Sequence, residues 1–159
     1  MGRIKKKHRI LGGIVFMVYI VLLVYFMFFA ESLGRAVASS SYHYNLEPFK
    51  EISRFLTYRD RLGMGVVVAN LLGNVIAFVP FGLFLPIMIN NRFGYIGMTL
   101  LSLDLSLFIE LLQLVSKVGS FDVDDLFLNT IGGLIGYCIF RFVWKYRRRK
   151  VTANEQGKI

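Results

Sequence analysis

The stretch from Gly65 to Ile89 reads GVVVANLLGNVIAFVPFGLFLPIMI and contains no charged side chain. At about 1.5 Å per residue, a helix of this length measures about 37 Å, which is enough to cross the roughly 30 Å hydrocarbon core of a bilayer. Three further apolar stretches predict spans at residues 10–30, 93–115 and 126–144. We therefore expect an all-α, multi-pass protein of the cell membrane with four transmembrane helices.

The composition of the 159-residue chain supports a membrane protein and excludes several other classes. Hydrophobic residues make up 55% and charged residues only 18%, whereas a soluble surface needs roughly 25–35% charge. The hydrophobic content excludes intrinsic disorder, and the single cysteine, Cys138, excludes a disulfide scaffold. The basic residues behind the net charge of +9 gather at the two chain ends, beside apolar runs. The expected partner is therefore the lipid bilayer and not a nucleic acid.

The same basic residues predict the orientation of the chain. Four spans place both termini on one side. Counting Arg141 near the end of the fourth span, that side carries 13 Lys and Arg residues and one acid, whereas the other side carries six basic residues and seven acids. The positive-inside rule makes that side cytoplasmic. The prediction is a basic cytoplasmic N-terminus at residues 1–9, a single transmembrane domain at 10–144 and a basic cytoplasmic tail at 145–159. The loop at 31–63 and the turn at 116–125 then face outward.

The first outer loop contains the pattern of a short amphipathic helix. Pro48 suits a first helical position, and the apolar residues that follow have helical spacing: Phe49, Ile52, Phe55 and Leu56. Lys50, Glu51 and Arg54 form the opposite, charged face. The pattern predicts a helix lying on the membrane surface or, equally well, a helix packed against the bundle.

The third span contains two acids, which are costly inside a bilayer and normally face a protein interior or a wet cavity. Glu110 lies in its outer third, and Ser106 and Gln113 share its helical face. This face is either a polar clamp between helices or part of a functional site. Asp104 lies deeper and on a different face, where we expect a local structural role.

Acids also gather just before the fourth span. Asp122, Asp125 and Asn129 are spaced to share one helical face, and Asp122 or Asp124 is a candidate N-cap. The alternative is a carboxylate pocket near the outer interface, formed together with Glu110 and Gln113, which could hold a divalent cation or a cationic group. The glycines at positions 132 and 136 continue this face and allow another backbone to approach closely.

Two amides, Asn70 and Asn74, lie on one face in the outer half of the second span. They either cross-link helices or line the same outer cavity. No metal-ligand motif, nucleotide-binding loop or catalytic constellation is present, so we expect no metal and no cofactor. An enzyme is therefore less favoured than a binding protein, with Glu110, Asp122 and Asp125 as acid–base candidates if catalysis occurs.

Three blocks of sequence carry a resemblance to a known family. They are NLEPFKEI at 45–52, NLLGNVIAFVPFG at 70–82, and ELLQ at 110–113 followed by FDVDDLFLNTIGGLIGY at 121–137. In combination they resemble the VanZ-like membrane proteins. Many relatives have a basic residue just before the FD pair, where this chain has Gly119 and Ser120.

The resemblance implies a cell-envelope protein of Gram-positive bacteria, associated with low-level resistance to the lipoglycopeptide teicoplanin, and it implies no particular reaction. It points to these motif positions: Asn45, Pro48, Asn74, Glu110, Gln113, Asp122, Asp125 and Asn129. Our candidate ligand-binding residues are these motif positions without Pro48, with Asn70 added.

Our first hypothesis is a non-enzymatic protein whose outward polar cavity binds an amphiphile, either a lipoglycopeptide or a lipid-linked wall component. One alternative is an intramembrane hydrolase or transferase that acts on a lipid head group. The other is a structural accessory subunit that pairs with another membrane protein through Gly132 and Gly136.

Overall fold

The computed structural model describes residues 6–34, 42–89, 93–117 and 119–156. Helices make up nearly all of this part of the chain. In chain order the elements are α1 (Lys6–Gly34), β1 (Tyr44–Asn45), α2 (Lys50–Thr57), α3 (Arg59–Leu62), α4 (Met64–Met88), α5 (Tyr95–Ser116), β2 (Phe121–Asp122) and α6 (Val123–Gln156).

Four of these helices, α1, α4, α5 and α6, contain segments long and apolar enough to cross a membrane. The prediction of an all-α protein with four such helices is therefore confirmed, and α2 stands where the short helix of the outer loop was expected. Helices α4 and α5 keep close to their expected bounds. By contrast, α1 and α6 begin or end in charged residues beyond the apolar stretch, because a helix continues into water where its residues favour it.

The central contact of the bundle is between α4 and α6, and glycines make it possible. A Cβ atom placed on Gly132 would lie 2.1 Å from the backbone oxygen of Val75, and one on Gly136 would lie 2.0 Å from that of Val79. The close backbone approach expected at these glycines is thus made by α4 of the same chain. That face of α6 is covered, so it is not a surface for pairing with another membrane protein.

Helix α1 packs mainly against α4, and helix α5 packs mainly against α6. The Tyr19 hydroxyl of α1 donates to the backbone oxygen of Ala77 in α4 at 2.8 Å. The Tyr137 hydroxyl of α6 donates to the backbone oxygen of Phe93, next to the start of α5, at 2.8 Å. Phe78, Met98 and Tyr137 are each 0% exposed and fill the interior.

Two short parallel strands join the first loop to the connection between α5 and α6. In β1 and β2, Tyr44 pairs with Phe121 and Asn45 with Asp122. The two connections therefore meet at one end of the bundle, which is the arrangement that four successive spans require. We refer to this end as the loop end.

Helix α2 is held at the loop end by a single carboxylate. Asp124 accepts hydrogen bonds from the backbone N–H groups of Phe49 at 2.5 Å, Glu51 at 2.9 Å and Ile52 at 3.1 Å. The first N–H groups of a helix have no partner within the helix, and a negative charge at that end is favoured by the helix dipole. Phe49 has a φ of 64°, a left-handed conformation that is costly outside glycine. Asp124 fixes α2 and this turn over the start of α6.

A larger residue at the α4–α6 contact should separate the two helices. Gly136→Val places side-chain atoms where the Val79 oxygen now lies, so we expect the free energy of unfolding to fall by about 1–3 kcal/mol or more. Gly65→Ala is the matched control, because nothing lies within 4 Å of its added Cβ. Unfolding of both variants by a denaturing detergent, followed by circular dichroism, checks this. Equal stability of Gly136→Val and wild type would contradict the packing described.

Removal of the Asp124 charge should release α2. In Asp124→Asn an NH₂ group replaces one accepting oxygen, so amide hydrogen exchange at Glu51 and Ile52 should accelerate about tenfold or more, since a hydrogen bond to a charged acceptor contributes roughly 1.5–3 kcal/mol. Asp60→Asn is the control, because the Asp60 side chain is 92% exposed. Exchange measured by mass spectrometry should distinguish the two, and unchanged protection in Asp124→Asn would show that α2 is held by other contacts.

Candidate functional site

A cavity of about 510 Å³ opens at the loop end, between α2 and the ends of the long helices. Its lining combines apolar side chains, including Phe26, Met27 and Leu128, with polar and charged ones. Five of the eight candidate ligand-binding residues line it: Asn70, Asn74, Gln113, Asp122 and Asp125. The other three, Asn45, Glu110 and Asn129, lie around it, and each contacts a polar neighbour.

The amides on α4 occupy two different settings in the wall. Asn74 donates a hydrogen bond from Nδ2 to Oδ1 of Asp125 and so joins α4 to α6. Asn70 is exposed and donates to the backbone oxygen of Val66 in its own helix at 2.8 Å. Asn74 therefore both cross-links the helices and lines the cavity, which were the two roles weighed for it.

Asp122 stands where β2 ends and α6 begins. Its Oδ1 accepts from the backbone N–H of Asp124 at 2.8 Å, which is N-cap geometry, and from Nδ2 of Asn45 at 3.2 Å. Burial raises the pKa of Asp122 above the usual carboxyl range, and the negative charges of Asp124 and Glu51 act in the same direction, while the two hydrogen bonds oppose them. The Asp122 side chain thus caps the start of α6 and also lines the cavity.

Glu110 is buried beside the cavity, on α5. It is 1% exposed, and the helical face predicted for it is buried too, with Ser106 and Gln113 at 0% and 2%. Its Oε2 accepts from the backbone N–H of Asp122 at 2.9 Å. Glu110 therefore anchors the turn between α5 and α6 to α5. It lies beside the cavity but is not among the residues that line it.

Gln113 brings an acceptor to the cavity wall. Its Nε2 donates to the backbone oxygen of Met27 at 3.1 Å, which ties α5 to α1. A backbone oxygen only accepts, so this bond fixes which end of the amide is nitrogen. The buried Oε1 has no hydrogen-bond partner among the described residues.

Asn129 lies deeper in the bundle and does not line the cavity. It is 0% exposed and donates from Nδ2 to Oγ of Ser106 at 2.9 Å, which links α6 to α5. Asp104, by contrast, is exposed on α5 and makes no hydrogen bond or ion pair with the other described residues. Among the described residues, no group of three or more His, Cys, Asp or Glu side chains is placed to hold a metal ion.

Sequence reasoning missed two features of the site. The three donors to Asp124 come from more than 70 positions earlier in the chain, so no local pattern reveals its role. Glu51 and Arg54 form an ion pair at 2.5 Å and both line the cavity, although the pattern marked them only as a charged helix face. Lys117, the nearest basic residue before the FD pair, lies with its ammonium 4.7 Å from the centre of the Tyr42 ring.

Comparison with known proteins places these features in a family. The family model described as VanZ/LLP1 matches residues 16–144, a range that contains the whole cavity. Protein VanZ of Enterococcus faecium is 27% identical over 145 residues, covering 89% of this chain and 81% of the relative. No solved structure shows significant similarity. Four membrane-type helices and a family match over most of the chain lead to one conclusion: the protein belongs to the VanZ/LLP1 family.

Proposed function

We propose that this protein binds the polar head group of an amphiphile in the cavity at the loop end, and that binding contributes to resistance to glycopeptide antibiotics such as teicoplanin. The amphiphile is a lipoglycopeptide or a lipid-linked component of the cell wall. Either molecule combines an apolar chain with a large polar head, and either is found at the outer face of a bacterial membrane.

The observation that carries this proposal is the mixed lining of the cavity. Phe26, Met27 and Leu128 offer apolar surface, while Asp122 and Asp125 offer carboxylates within the same 510 Å³. Pockets of roughly 300–1,000 Å³ with mostly apolar walls and a few placed polar groups are typical ligand sites. An amphiphile can contact both the apolar and the polar side chains of the lining. A purely polar solute would leave the apolar side chains exposed to water.

The charge distribution supports a cavity that faces outward. The end of α6 remote from the cavity carries five basic residues in six positions, Lys145 and Arg147 to Lys150. Positive clusters next to a span favour the cytoplasmic side, which leaves the loop end outside. A ligand in the outer leaflet then reaches the cavity without crossing the membrane.

The link to antibiotic resistance rests on the family. A relative that covers most of this chain is named Protein VanZ, and the sequence blocks at 45–52, 70–82 and 110–137 resemble those of proteins associated with teicoplanin resistance. Residues from all three blocks line the cavity, among them Glu51, Asn74 and Asp125. The part of the chain that resembles the family is thus the part that forms the cavity.

The orientation is tested with single cysteines in a Cys138→Ala background, because the native Cys138 is exposed on α6. We expect Glu47→Cys, in the outer loop, to react with a membrane-impermeant thiol reagent in intact cells. Lys145→Cys should react only after the cells are permeabilised. The reverse pattern would invert the topology and place the cavity on the cytoplasmic side.

The role of the cavity is tested by teicoplanin susceptibility in a host where the wild-type protein gives resistance. We expect Asp125→Asn to lower the inhibitory concentration towards that of the empty vector at equal membrane level, because it removes a carboxylate charge from the wall. Asn70→Leu should act in the same direction, and its hydrogen bond lies within α4, so its loss does not separate helices. Asp104→Asn is the control, since it removes an acid remote from the cavity. Wild-type resistance in both cavity variants would show that the cavity is not the working part.

A further inference from the structure

The charges that line the cavity are unequal in sign. Among the described residues of the lining, four are carboxylates, Glu51, Asp122, Asp124 and Asp125, and one is a guanidinium, Arg54. Arg54 pairs with Glu51 at 2.5 Å, and Asp124 is occupied by the three N–H groups of α2. In the described part of the lining, acids thus outnumber bases, which favours a cation over a phosphate or sulfate as the ligand.

Two acceptor atoms of residues in the wall receive no hydrogen bond from the described residues. Both hydrogen bonds that Asp122 receives end on Oδ1, and Oδ2 receives none from the described residues. The Oε1 of Gln113 is buried, in a side chain 2% exposed, and has no donor within the described part of the chain. A buried acceptor without a donor is costly, so a ligand that carries N–H or O–H groups is favoured at this site.

Taken together, the two observations define a chemical class. We propose that the head group bound in this cavity is a primary ammonium carried on an amphiphile, held by Asp122, Asp125 and the Oε1 of Gln113. This inference rests on the proposed function and names its ligand class. An ammonium supplies a positive charge and three donors, whereas a trimethylammonium supplies the charge without donors and a sugar hydroxyl supplies donors without the charge.

The surroundings of Asp122 agree with this assignment. Burial and the neighbouring carboxylates Asp124 and Glu51 raise its pKa, and no cation among the described residues counters them. A bound ammonium would stabilise that charged form. The apolar residues Phe26, Met27 and Leu128 in the same cavity are placed to contact the chain of the amphiphile, which distinguishes it from a small soluble amine.

The inference is tested on the purified full-length protein in an uncharged detergent, with native mass spectrometry to count bound lipid. The probes are dioleoyl phosphatidylethanolamine, phosphatidylcholine and phosphatidylglycerol, which share their chains and their phosphate. We expect the ethanolamine lipid to bind about tenfold more tightly than the choline lipid, which corresponds to about 1.4 kcal/mol. The glycerol lipid should bind more weakly still. This comparison uses the wild-type protein alone, so it does not depend on the folding of any variant.

Variants locate the preference in the cavity. Asp122→Asn should abolish the difference between the ethanolamine and choline lipids, and asparagine remains a good N-cap, so α6 keeps its start. Asp104→Asn removes one acid outside the cavity and should leave the difference intact. Free ethanolamine, added as a competitor, should displace the lipid only at far higher concentration, because it lacks the chain.

Each contrary result has a distinct meaning. Equal binding of the ethanolamine and choline lipids, with both weakened by Asn70→Leu, would overturn the ammonium inference and keep the amphiphile cavity. Competition by free ethanolamine at the concentration of the lipid would overturn the lipid-borne source. Lipid binding that is the same in wild type, Asn70→Leu and Asp122→Asn would overturn the proposed function itself.

Discussion

The structure depends on the close contact between α4 and α6. Gly132 and Gly136 bring α6 so near α4 that an added Cβ would lie about 2 Å from the α4 backbone. Within a bilayer, apolar surface gains little by leaving lipid, so helices associate through packing and polar contacts that need such proximity. The same approach places Asn74 within hydrogen-bonding reach of Asp125. The contact between Asn74 and Asp125 at the cavity wall therefore depends on the helix packing at Gly132, two turns further along α6.

Above this contact, acidic side chains organise the loop end by accepting backbone N–H groups. Glu110 on α5 receives the N–H of Asp122, Asp122 receives that of Asp124, and Asp124 receives three from the start of α2. Each carboxylate satisfies donors that a helix start or a turn leaves without a partner. This series connects α5, β2, α6 and α2. It explains why acids are retained in a chain that is 55% hydrophobic.

The sequence was sufficient for the four long helices and for the set of residues near the cavity, and insufficient for their pairings. Apolar runs of bilayer length and glycines at helical spacing are local signals, so the spans and the close-packed face of α6 could be read directly. Helical spacing also placed Ser106, Glu110 and Gln113 on one buried face. The partner of each polar group is set by tertiary contact instead. Asp124 meets donors more than 70 residues away, Asn129 turns to Ser106 rather than to the cavity, and Gly132 meets α4 rather than a second protein.

The acids of the loop end differ in the donors that they receive and in whether they line the cavity. Glu110 and Asp124 are buried and receive backbone donors, as an acid with a structural role should. Asp122 and Asp125 also receive hydrogen bonds, and they line the cavity together with Asp124. A protein that needed only helix caps and cross-links would be served by asparagine at these two positions, since an amide oxygen accepts the same bonds without the cost of a charge. The carboxylates of the cavity wall therefore agree with the cationic head group proposed above.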